Sequence, residues 1–542
     1  MDSLTQIWDV LFPPDSYGCL SLLPPLIAIV LAIATHRVVV SLLAGVFVGT
    51  LILANGNPFI AIGTTFETHL WDSLRDDDHL RVFVFTLLMG AMVGVMQRSG
   101  GMEAIVNGIA PWARSRRRGQ LTVWVLGLIV FFDDYANTLL LGHTMRPLTD
   151  RLRISREKLA YLVDSTAAPV SGLALVSTWV AGEIGYIQDG LDGTPLAESA
   201  SAFELFITTI PYRFYVLWAL LFVPLVALLG RDFGAMLAAE RRAFRAKPAT
   251  PTHGGNHHTG LSQWPNAVIP VLTVVAVTIV LISTTGWRAI ADDTTVEHSL
   301  LNIFGNGDSY LALMYGSLTG LAMALLLAWT NARVGLTDLK TAAGNGAAQV
   351  IPALTILWLA WGLSGLTKAD YLGTGEYLGQ LLAGSVDIRW MPTIVFILAS
   401  VVAFSTGTSW GTMGILMPLV VPTTIQLLGS SGSAVSANDP LLIGSIAGVL
   451  AGAIFGDHCS PISDTTVLSS QASGCDHIAH VRTQMPYALL VAGVSVVCGT
   501  IPIGFGASVW WVLPIGVLVM TISLWAVGKR SSDTNASVPV AE

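Results

Sequence analysis

The sequence predicts an all-α polytopic membrane protein with about 11 transmembrane helices and two re-entrant hairpins in two inverted repeats. The first observation is composition: of 542 residues, 53% are hydrophobic and 11% are charged, whereas soluble globular domains carry about 25% charged residues. The second is that apolar runs of about 17–25 residues, the length a helix needs to cross a bilayer, recur along the chain. The third is that two apolar segments hold an aspartate a few residues before a proline, at Asp164 and Asp457.

The apolar runs place the membrane spans in order along the chain. The predicted spans are 20–35, 38–54, 82–97, 158–181, 205–229, 265–285, 309–330, 350–366, 440–470, 486–506 and 508–527. Two further apolar segments, 121–149 and 390–428, have a polar break in the middle, at 133–138 and 405–409. Each is either one broken span or a re-entrant hairpin that enters and leaves on the same side of the membrane.

The distribution of basic residues favours the hairpins. With two hairpins, all but six of the 27 Lys and Arg residues face one side, which the positive-inside rule makes cytoplasmic. The six exceptions are Arg75, Arg81, Arg213, Arg288, Lys368 and Arg389. The acidic loops 76–78 and 292–293 then face outward. The expected location is the cytoplasmic (inner) membrane, crossed many times, with the N-terminus outside and the C-terminus in the cytoplasm.

The same topology divides the chain into two similar halves. Segments 20–229 and 265–506 each contain three spans, a hairpin, a broken helix (158–181 or 440–470) and a plain span, and the halves begin on opposite sides. The remaining parts are an N-terminal segment 1–19, a cytoplasmic linker 230–264, an extra transmembrane helix 507–528 and a tail 529–542 that is expected to be disordered. Inverted repeats with broken helices are typical of secondary transporters.

Five acidic residues lie within these apolar interruptions and are the main candidates for a site. They are Asp133, Asp134, Asp164, Asp457 and Asp464. Each would cost about 2.5–3.5 kcal/mol near the centre of a membrane helix, and the same stretches contain no Lys or Arg. A carboxylate in a cavity can hold either a proton or a cation, and this competition is the simplest basis for exchange. One of the adjacent pair Asp133 and Asp134 is also a candidate cap for the following half-helix.

Neutral polar residues crowd the same places. The candidate cation- or proton-binding residues are Asn137, Thr138, Ser165, Thr166, Ser171, Thr406, Thr408, Ser409, His458, Ser460, Ser463 and Thr465. Hard alkali cations prefer oxygen ligands, so the sequence predicts Na⁺ at Asp164, Asp457 and Asp464 together with residues of the hairpin tips. Single hydroxyls in membrane helices more often contact another helix or their own backbone, and His458 either relays protons or bonds a carbonyl.

Four motifs resemble a known family. Phe-Phe-Asp133-Asp134-Tyr-Ala-Asn137-Thr138, Asp164-Ser-Thr-Ala-Ala-Pro169-Val-Ser171, Ser405-Thr-Gly-Thr-Ser-Trp410-Gly and Gly456-Asp457-His-Cys-Ser-Pro461-Ile-Ser-Asp464-Thr resemble the NhaC family of Na⁺/H⁺ antiporters, in the ion transporter superfamily. The resemblance covers about 20–506. It implies an inner-membrane antiporter with scaffold and transport domains, hairpin tips that meet at the midplane, elevator-type movement, no cofactor other than the transported Na⁺ and H⁺, and a homodimer as one possible assembly.

The leading hypothesis is therefore exchange of Na⁺ for H⁺, with no enzymatic activity and no nucleic-acid partner. The alternative is an antiporter of a small organic acid, of the malate/lactate type, or of an amino acid, coupled to Na⁺ or H⁺. A substrate anion would favour a positive partner, and the breaks contain no Arg of their own. An intramembrane aspartyl protease is disfavoured because the string Gly305-Asn-Gly-Asp308 lies in a polar loop without a Tyr-Asp partner, and a channel is disfavoured by the duplicated broken helices.

Overall fold

The fold is described from a computed structural model, which covers most of the chain. The described residues are 17–35, 37–175, 177–197, 199–245, 263–291, 303, 307–368, 370–374, 377, 380–381, 386–430, 435–461 and 463–531. Most of the predicted N-terminal segment, residues 246–262 of the predicted linker and residues 532–542 of the predicted tail lie outside this description.

Helices make up nearly all of the described chain, as the composition predicts. In the first half they are α1 Leu23–Thr35, α2 Val38–Leu53, α3 Pro58–Thr64, α4 Trp71–Arg75, α5 Asp77–Arg98, α6 Gly101–Ile109, α7 Arg116–Ile129, α8 Asp134–Arg151, α9 Arg156–Asp164, α10 Ala168–Ser171, α11 Val180–Leu191, α12 Ala202–Thr209 and α13 Phe214–Leu229. The remainder comprises α14 Gly234–Arg245, α15 Pro265–Ile290, α16 Ser309–Thr330, α17 Leu336–Thr367, α18 Met391–Thr406, α19 Ser409–Ser430, α20 Pro440–Cys459, α21 Asp464–Ser473, α22 His477–Val494, α23 Ile501–Gly504 and α24 Val509–Val527.

Nine helices within the described residues are long and apolar enough to cross a membrane. Two of the nine, Ile388–Thr406 and Ser409–Ser430, are the arms of the second predicted hairpin. A tenth candidate span is the pair Ala202–Tyr212 and Phe214–Leu229, which is bent by 47°. The all-α membrane class is therefore confirmed. These nine or ten candidates do not match the predicted spans one to one. Part of the reason is that α1 and α2 are short and that each predicted broken helix is divided into shorter helices.

Two predicted spans have different limits in the structure, and one helical segment was not predicted. The span 350–366 is only the second half of α17, which has 32 residues. The span 205–229 is not one plain helix, because it bends where Arg213 leaves helical geometry between a 3₁₀ turn and α13. The segment that contains α3 and α4, joined by a π-helical turn Thr65–Leu70, was not predicted, because its Glu, Asp and His residues interrupt the apolar pattern.

The first polar break forms a hairpin. Helices α7 and α8 are joined by a short turn, and Asp133 lies at the N-cap position of α8. Near the open end, the Arg116 guanidinium at the start of α7 donates to the Arg153 carbonyl, just after α8 ends. In the same region Gly119 lies against Leu152, where a Cβ would be 2.5 Å from its Cδ1. The two arms therefore run antiparallel.

The second polar break also forms a hairpin, with Gly407 in the left-handed conformation (φ 69°) at its tip. The turn Ile388–Trp390 before α18 contacts α19, so these arms also lie side by side. Four glycines of α20, at Gly444, Gly448, Gly452 and Gly456, let its backbone approach α18 closely. A Cβ at Gly456 would lie 2.3 Å from the Ser400 carbonyl oxygen, so only glycine fits there.

Each hairpin packs its second arm against a helix from the other half of the chain. The second arm of the first hairpin, α8, packs on α21 of the second half, where a Cβ at Gly142 would lie 2.4 Å from that of Ala472. Reciprocally, α19 packs on α11 of the first half, where Gly182 leaves room for the Trp410 ring. Both arms of each hairpin also contact the broken helix of their own half.

The first residues of the predicted linker pack against the first residues of the predicted tail. Arg231–Asp232 (β1) pairs antiparallel with Lys529–Arg530 (β2). Helix α14 buries the Glu240 carboxylate, which accepts from the Ser155 amide at 2.7 Å and pairs with Arg116. Burial raises the pKa of Glu240, and the nearby Asp232 carboxylate adds to the rise while Arg116 opposes it. These contacts attach both segments to the open end of the first hairpin.

Candidate functional site

The first broken helix stops at its buried aspartate. Helix α9 ends at Asp164, and the chain is irregular apart from one short turn, α10, until α11 begins at Val180. Asp164 is 1% exposed. A buried carboxylate in apolar surroundings needs hydrogen-bond donors or a cation, and the structure supplies donors.

The donors to Asp164 come from the second half of the chain. Its Oδ2 atom accepts from the Gln484 amide and from the Thr466 hydroxyl at 3.3 Å, and lies 3.3 Å from His480 Nε2. The Gln484 amide also donates to the His458 carbonyl at 2.6 Å. Several donors on one oxygen is the arrangement that stabilises an ionised carboxylate.

His458 connects the two breaks. Its Nε2 atom lies 3.9 Å from Asp164 Oδ2 and 3.3 Å from the Ser165 hydroxyl. Its Nδ1 atom lies 2.6 Å from the Tyr215 hydroxyl on α13. His458 directly follows Asp457 in the chain, so the second break approaches Asp164 through this histidine.

The second break holds Asp457 at the tip of the second hairpin. Its Oδ2 atom accepts from the Ser409 hydroxyl at 3.0 Å, and Ser409 is the first residue of α19. The chain leaves α20 at Ser460, whose hydroxyl donates to the Phe404 carbonyl of the hairpin at 2.7 Å. Asp457 and Ser409 are both buried. The tip of the second hairpin therefore lies next to this break.

The first hairpin tip meets the first break in a similar way. The Asn137 side-chain amide donates to the carbonyls of Gly127, Val130 and Thr166 at 2.8, 3.0 and 3.1 Å. Gly127 lies so close to Thr166 that a Cβ there would be 2.3 Å from its hydroxyl. One amide thus holds three backbone oxygens of the tip and the break together, which is a structural role for Asn137 in addition to the predicted one.

The remaining predicted residues fall into two groups. Asp133, Asp134, Thr138 and Ser171 are buried at the first hairpin tip and the first break. Among the others, Thr166 and Thr406 donate to carbonyls of their own helices, Thr408 accepts from the Gly411 amide, and Ser463 lies 3.0 Å from the Thr465 hydroxyl. Asp464 begins α21, and its side chain lies outside the described residues.

An arginine reaches the first break from a neighbouring helix, which the sequence did not indicate. Arg213, predicted on the outer surface, is fully buried. Its guanidinium pairs with Glu183 of α11 at 2.6 Å and donates to the Gly172 carbonyl. The expectation of no arginine near the breaks holds only for the segments themselves.

Sequence reasoning also missed His480, Gln484 and Tyr215. The first two lie four residues apart on α22, a spacing that places them on one face of a helix. The sequence could have indicated them, because polar residues at that spacing lie in a segment that becomes apolar one turn later. Tyr215 lies in an apolar span without such a pattern, so only the packing of α13 on α20 identifies it.

Comparison with known proteins gives a consistent result. The model of the Na⁺/H⁺ antiporter family matches residues 170–502, more than half of the chain. The chain is 33% identical to an uncharacterised protein of Haemophilus influenzae over 94% of its own length and 95% of that protein. Over 34% of its length, and 38% of the relative, it is 29% identical to the malate-2H⁺/Na⁺-lactate antiporter of Bacillus subtilis.

Shorter and more distant similarities agree with these. The chain is 28% identical to the Na⁺/H⁺ antiporter NhaC of Alkalihalophilus pseudofirmus over 28% of its length and 30% of that protein. Among solved structures, the YdaH transporter of Alcanivorax borkumensis superposes with a TM-score of 0.53 at 14% identity, covering 82% of this chain and 89% of the other. The last comparison concerns the fold alone.

Proposed function

Because the chain belongs to the Na⁺/H⁺ antiporter family, we propose that it exchanges Na⁺ for H⁺ across the cytoplasmic membrane by alternating access. The observation that carries the proposal is the meeting of the two breaks, where His458 Nε2 lies 3.9 Å from Asp164 Oδ2. His458, one residue after Asp457, thereby brings the second break next to the acid of the first, and a charge bound at one acid is proposed to change the field at the other. That coupling is what competitive binding of a proton and a cation requires.

The two aspartates have unequal roles in this mechanism. Asp164 faces donors, Gln484, His480 and Thr466, which suit a carboxylate that gives up and takes back a proton. Asp457 lies beside the Ser409 hydroxyl at the hairpin tip, in a break rich in hydroxyls and freed carbonyls. Oxygen ligands of this kind suit Na⁺, and Asp464, one residue after Ser463, is proposed to complete that site.

The topology of the proposal follows from charge and from packing. The Arg-rich open end of the first hairpin is assigned to the cytoplasm, with the C-terminus on the same side and the N-terminus outside. The reciprocal packing of α8 on α21 and of α19 on α11 supports inverted repeats, because a pseudo-two-fold axis would generate each contact from the other. The tips then approach the midplane from opposite faces.

A second candidate function has one observation in its favour. Arg213 is buried at the first break, where it could pair with the carboxylate of a small organic acid, and a relative is named as a malate-2H⁺/Na⁺-lactate antiporter. Glu183 already pairs with this guanidinium at 2.6 Å. A substrate anion would have to replace Glu183, so the bare cation remains the leading substrate.

The test is a flux assay in everted membrane vesicles that are acidified and monitored with a pH-sensitive dye. Wild-type vesicles are expected to release protons on addition of NaCl and not on addition of malate or lactate. Asp164→Asn and Asp457→Asn are expected to abolish the response. The matched control is Asp338→Asn, which removes an exposed pair with Arg98, worth at most about 1 kcal/mol. A wild-type protein that is inserted yet responds to neither Na⁺ nor Li⁺ at any pH would refute the exchange.

A further inference from the structure

A second buried acidic group lies away from the two breaks, at one end of the helix bundle. Asp189, near the end of α11, is 6% exposed, and its Oδ1 atom lies 3.6 Å from His79 Nε2. The His79 ring stacks on Trp361 with centroids 3.8 Å apart. Helix α5 carries Arg98 at its other end, about 30 Å away by helical rise. The group therefore lies opposite the end where Arg98 pairs with Asp338.

Polar atoms on two facing helices at this place lack partners. Within the described part of the chain, no hydrogen bond is made by Asp189 Oδ2, the Tyr186 hydroxyl, Trp361 Nε1 or the Ser364 hydroxyl. All four residues are more than nine-tenths buried. Tyr186 and Asp189 lie one turn apart on α11, and Trp361 and Ser364 lie one turn apart on α17, which contacts α11.

Leaving such groups unsatisfied is costly. Each buried polar atom without a hydrogen bond costs about 1–3 kcal/mol, and a charged oxygen costs more. Three of the four are oxygens, from Asp189, Tyr186 and Ser364, and hard cations prefer a mixed set of carboxylate and hydroxyl oxygens. The indole N–H of Trp361 is a donor and fits a water molecule that completes the coordination of such an ion. The chemistry of these atoms therefore matches a partly hydrated monovalent cation.

The surrounding charges are compatible with that ion. Lys368 is held by Asp192 at 2.8 Å, so its charge is offset. His79 Nδ1 lies 2.8 Å from the Ser73 carbonyl, and its other ring nitrogen, Nε2, faces Asp189 Oδ1. Within the described residues the second oxygen, Asp189 Oδ2, has no hydrogen-bond partner, and it is this atom that remains available for a cation.

The group is connected to the second break through aromatic side chains. Tyr186 and Trp410 are in contact edge to face, with centroids 6.4 Å apart. Trp410 follows Ser409, which donates to Asp457. Trp410 also fits against Gly182, seven residues and therefore about 10 Å along α11 from Asp189. A line of side-chain contacts thus leads along one face of α11 from Asp189 toward Asp457.

We propose that Asp189, with Tyr186 and Ser364, binds Na⁺ at the face opposite the Arg-rich one, as a loading site on the route to Asp457. This proposal rests on the Na⁺/H⁺ exchange proposed above. A loading site acts on ions that arrive from its own face. Its loss therefore alters the apparent affinity for Na⁺ from that face and leaves the opposite face unchanged.

The experiment measures the KM for Na⁺ in right-side-out and in everted vesicles that contain the full chain. Asp189→Asn is expected to raise the KM roughly tenfold or more from the face of Asp189, in keeping with loss of an interaction to a charged group, with the other face unaffected. Tyr186→Phe is expected to give a smaller rise with the same sidedness. Asp387→Asn is the control, because it removes an exposed pair with Arg389.

A purely structural role would change both faces alike or lower the maximal rate, so equal shifts, or none, would overturn the proposal. Binding of ²²Na⁺ to the purified protein distinguishes its failure from that of the exchange itself. Weaker ²²Na⁺ binding in Asp189→Asn than in Asp387→Asn supports the site even if the vesicles show no exchange. Equal binding in the two variants would overturn the loading site. The proposed exchange is tested separately, with Asp164→Asn and Asp457→Asn.

Discussion

The two breaks have the same plan and hold their aspartates by different means. Asp164 is surrounded by donors from the other half of the chain, Gln484 and His480 of α22 and Thr466 of α21. Asp457 accepts from Ser409, which belongs to the hairpin of the same half. An architecture with two similar halves therefore need not contain two equivalent sites. The partners that a helix end acquires in the folded protein determine whether its acid is suited to a proton or to a metal cation.

The first break also contains a buried ion pair, and removing one partner gives the largest expected effect. Arg213→Leu leaves Glu183 buried and unpaired, which costs about 3–5 kcal/mol, and thermal unfolding of the purified protein measures the loss. Arg213→Leu combined with Glu183→Leu is expected to recover much of the stability. Ser460→Ala is the matched change at the second break and costs about 0.5–1.5 kcal/mol. A single Arg213→Leu variant as stable as the wild type would show that the breaks do not differ in this respect.

A change at Gln484 tests the role of the donors around Asp164. Gln484→Leu removes an amide that favours the ionised carboxylate, so Asp164 is expected to hold its proton more tightly. Loss of a hydrogen bond to a charged group is worth about 1.5–3 kcal/mol, or roughly one to two pH units. The pH profile of exchange in vesicles should move by that amount toward alkaline pH, because proton release becomes the harder step.

The control for this prediction lies on another helix. Gln188→Leu removes an amide that donates to Asp192 at 2.8 Å, away from the breaks, and should leave the profile in place. A profile of Gln484→Leu that coincides with that of the wild type would mean that Asp164 is not the group whose protonation limits exchange.

The smallest of these effects is expected at Ser409. Ser409→Ala removes the hydroxyl donor to Asp457, and an effect of about 0.5–1.5 kcal/mol corresponds to a two- to tenfold rise in the KM for Na⁺. The pH profile should move little, in contrast to Gln484→Leu. Ser445→Ala, a buried serine that donates to its own helix at 2.7 Å, is the control. A shift of the pH profile without a change in KM would reverse the roles assigned to the two breaks.

Much of this fold could be predicted from the sequence because hydropathy and local breakers act over short distances. The limits of α16 and α24 agree with the predicted spans 309–330 and 508–527 within one residue at either end. The breaks follow from polar residues, glycine and proline in apolar surroundings. The position of Asp308 in a loop was also clear, and there it caps α16 through the Leu311 amide and pairs with Arg81.

The partners of the acids could not be predicted in the same way. Gln484 reaches Asp164 across 320 residues of sequence, and the predicted topology counted Arg213 among the basic residues on the outer side of the membrane. Which side chains meet depends on how α13 and α22 pack around the breaks, and a single sequence does not contain that packing. The sequence therefore predicted where the costly charges lie, and tertiary contacts determine how each is satisfied.

The glycines of α20 have a mechanical consequence. Gly448, Gly452 and Gly456 lie four residues apart, and a Cβ on each would come within 2.9, 2.5 and 2.3 Å of carbonyl oxygens of α18. If α20 moved along α18 by one residue, Val449 and Ala453 would take the places of the glycines. The space there admits only a hydrogen atom in place of a side chain. The next register that places glycine against backbone is a full four residues away, about 6 Å along the axis. The second hairpin and the helix that carries Asp457 therefore cannot slide along each other in small steps. They move as one rigid body, together with any ion that is bound at this tip.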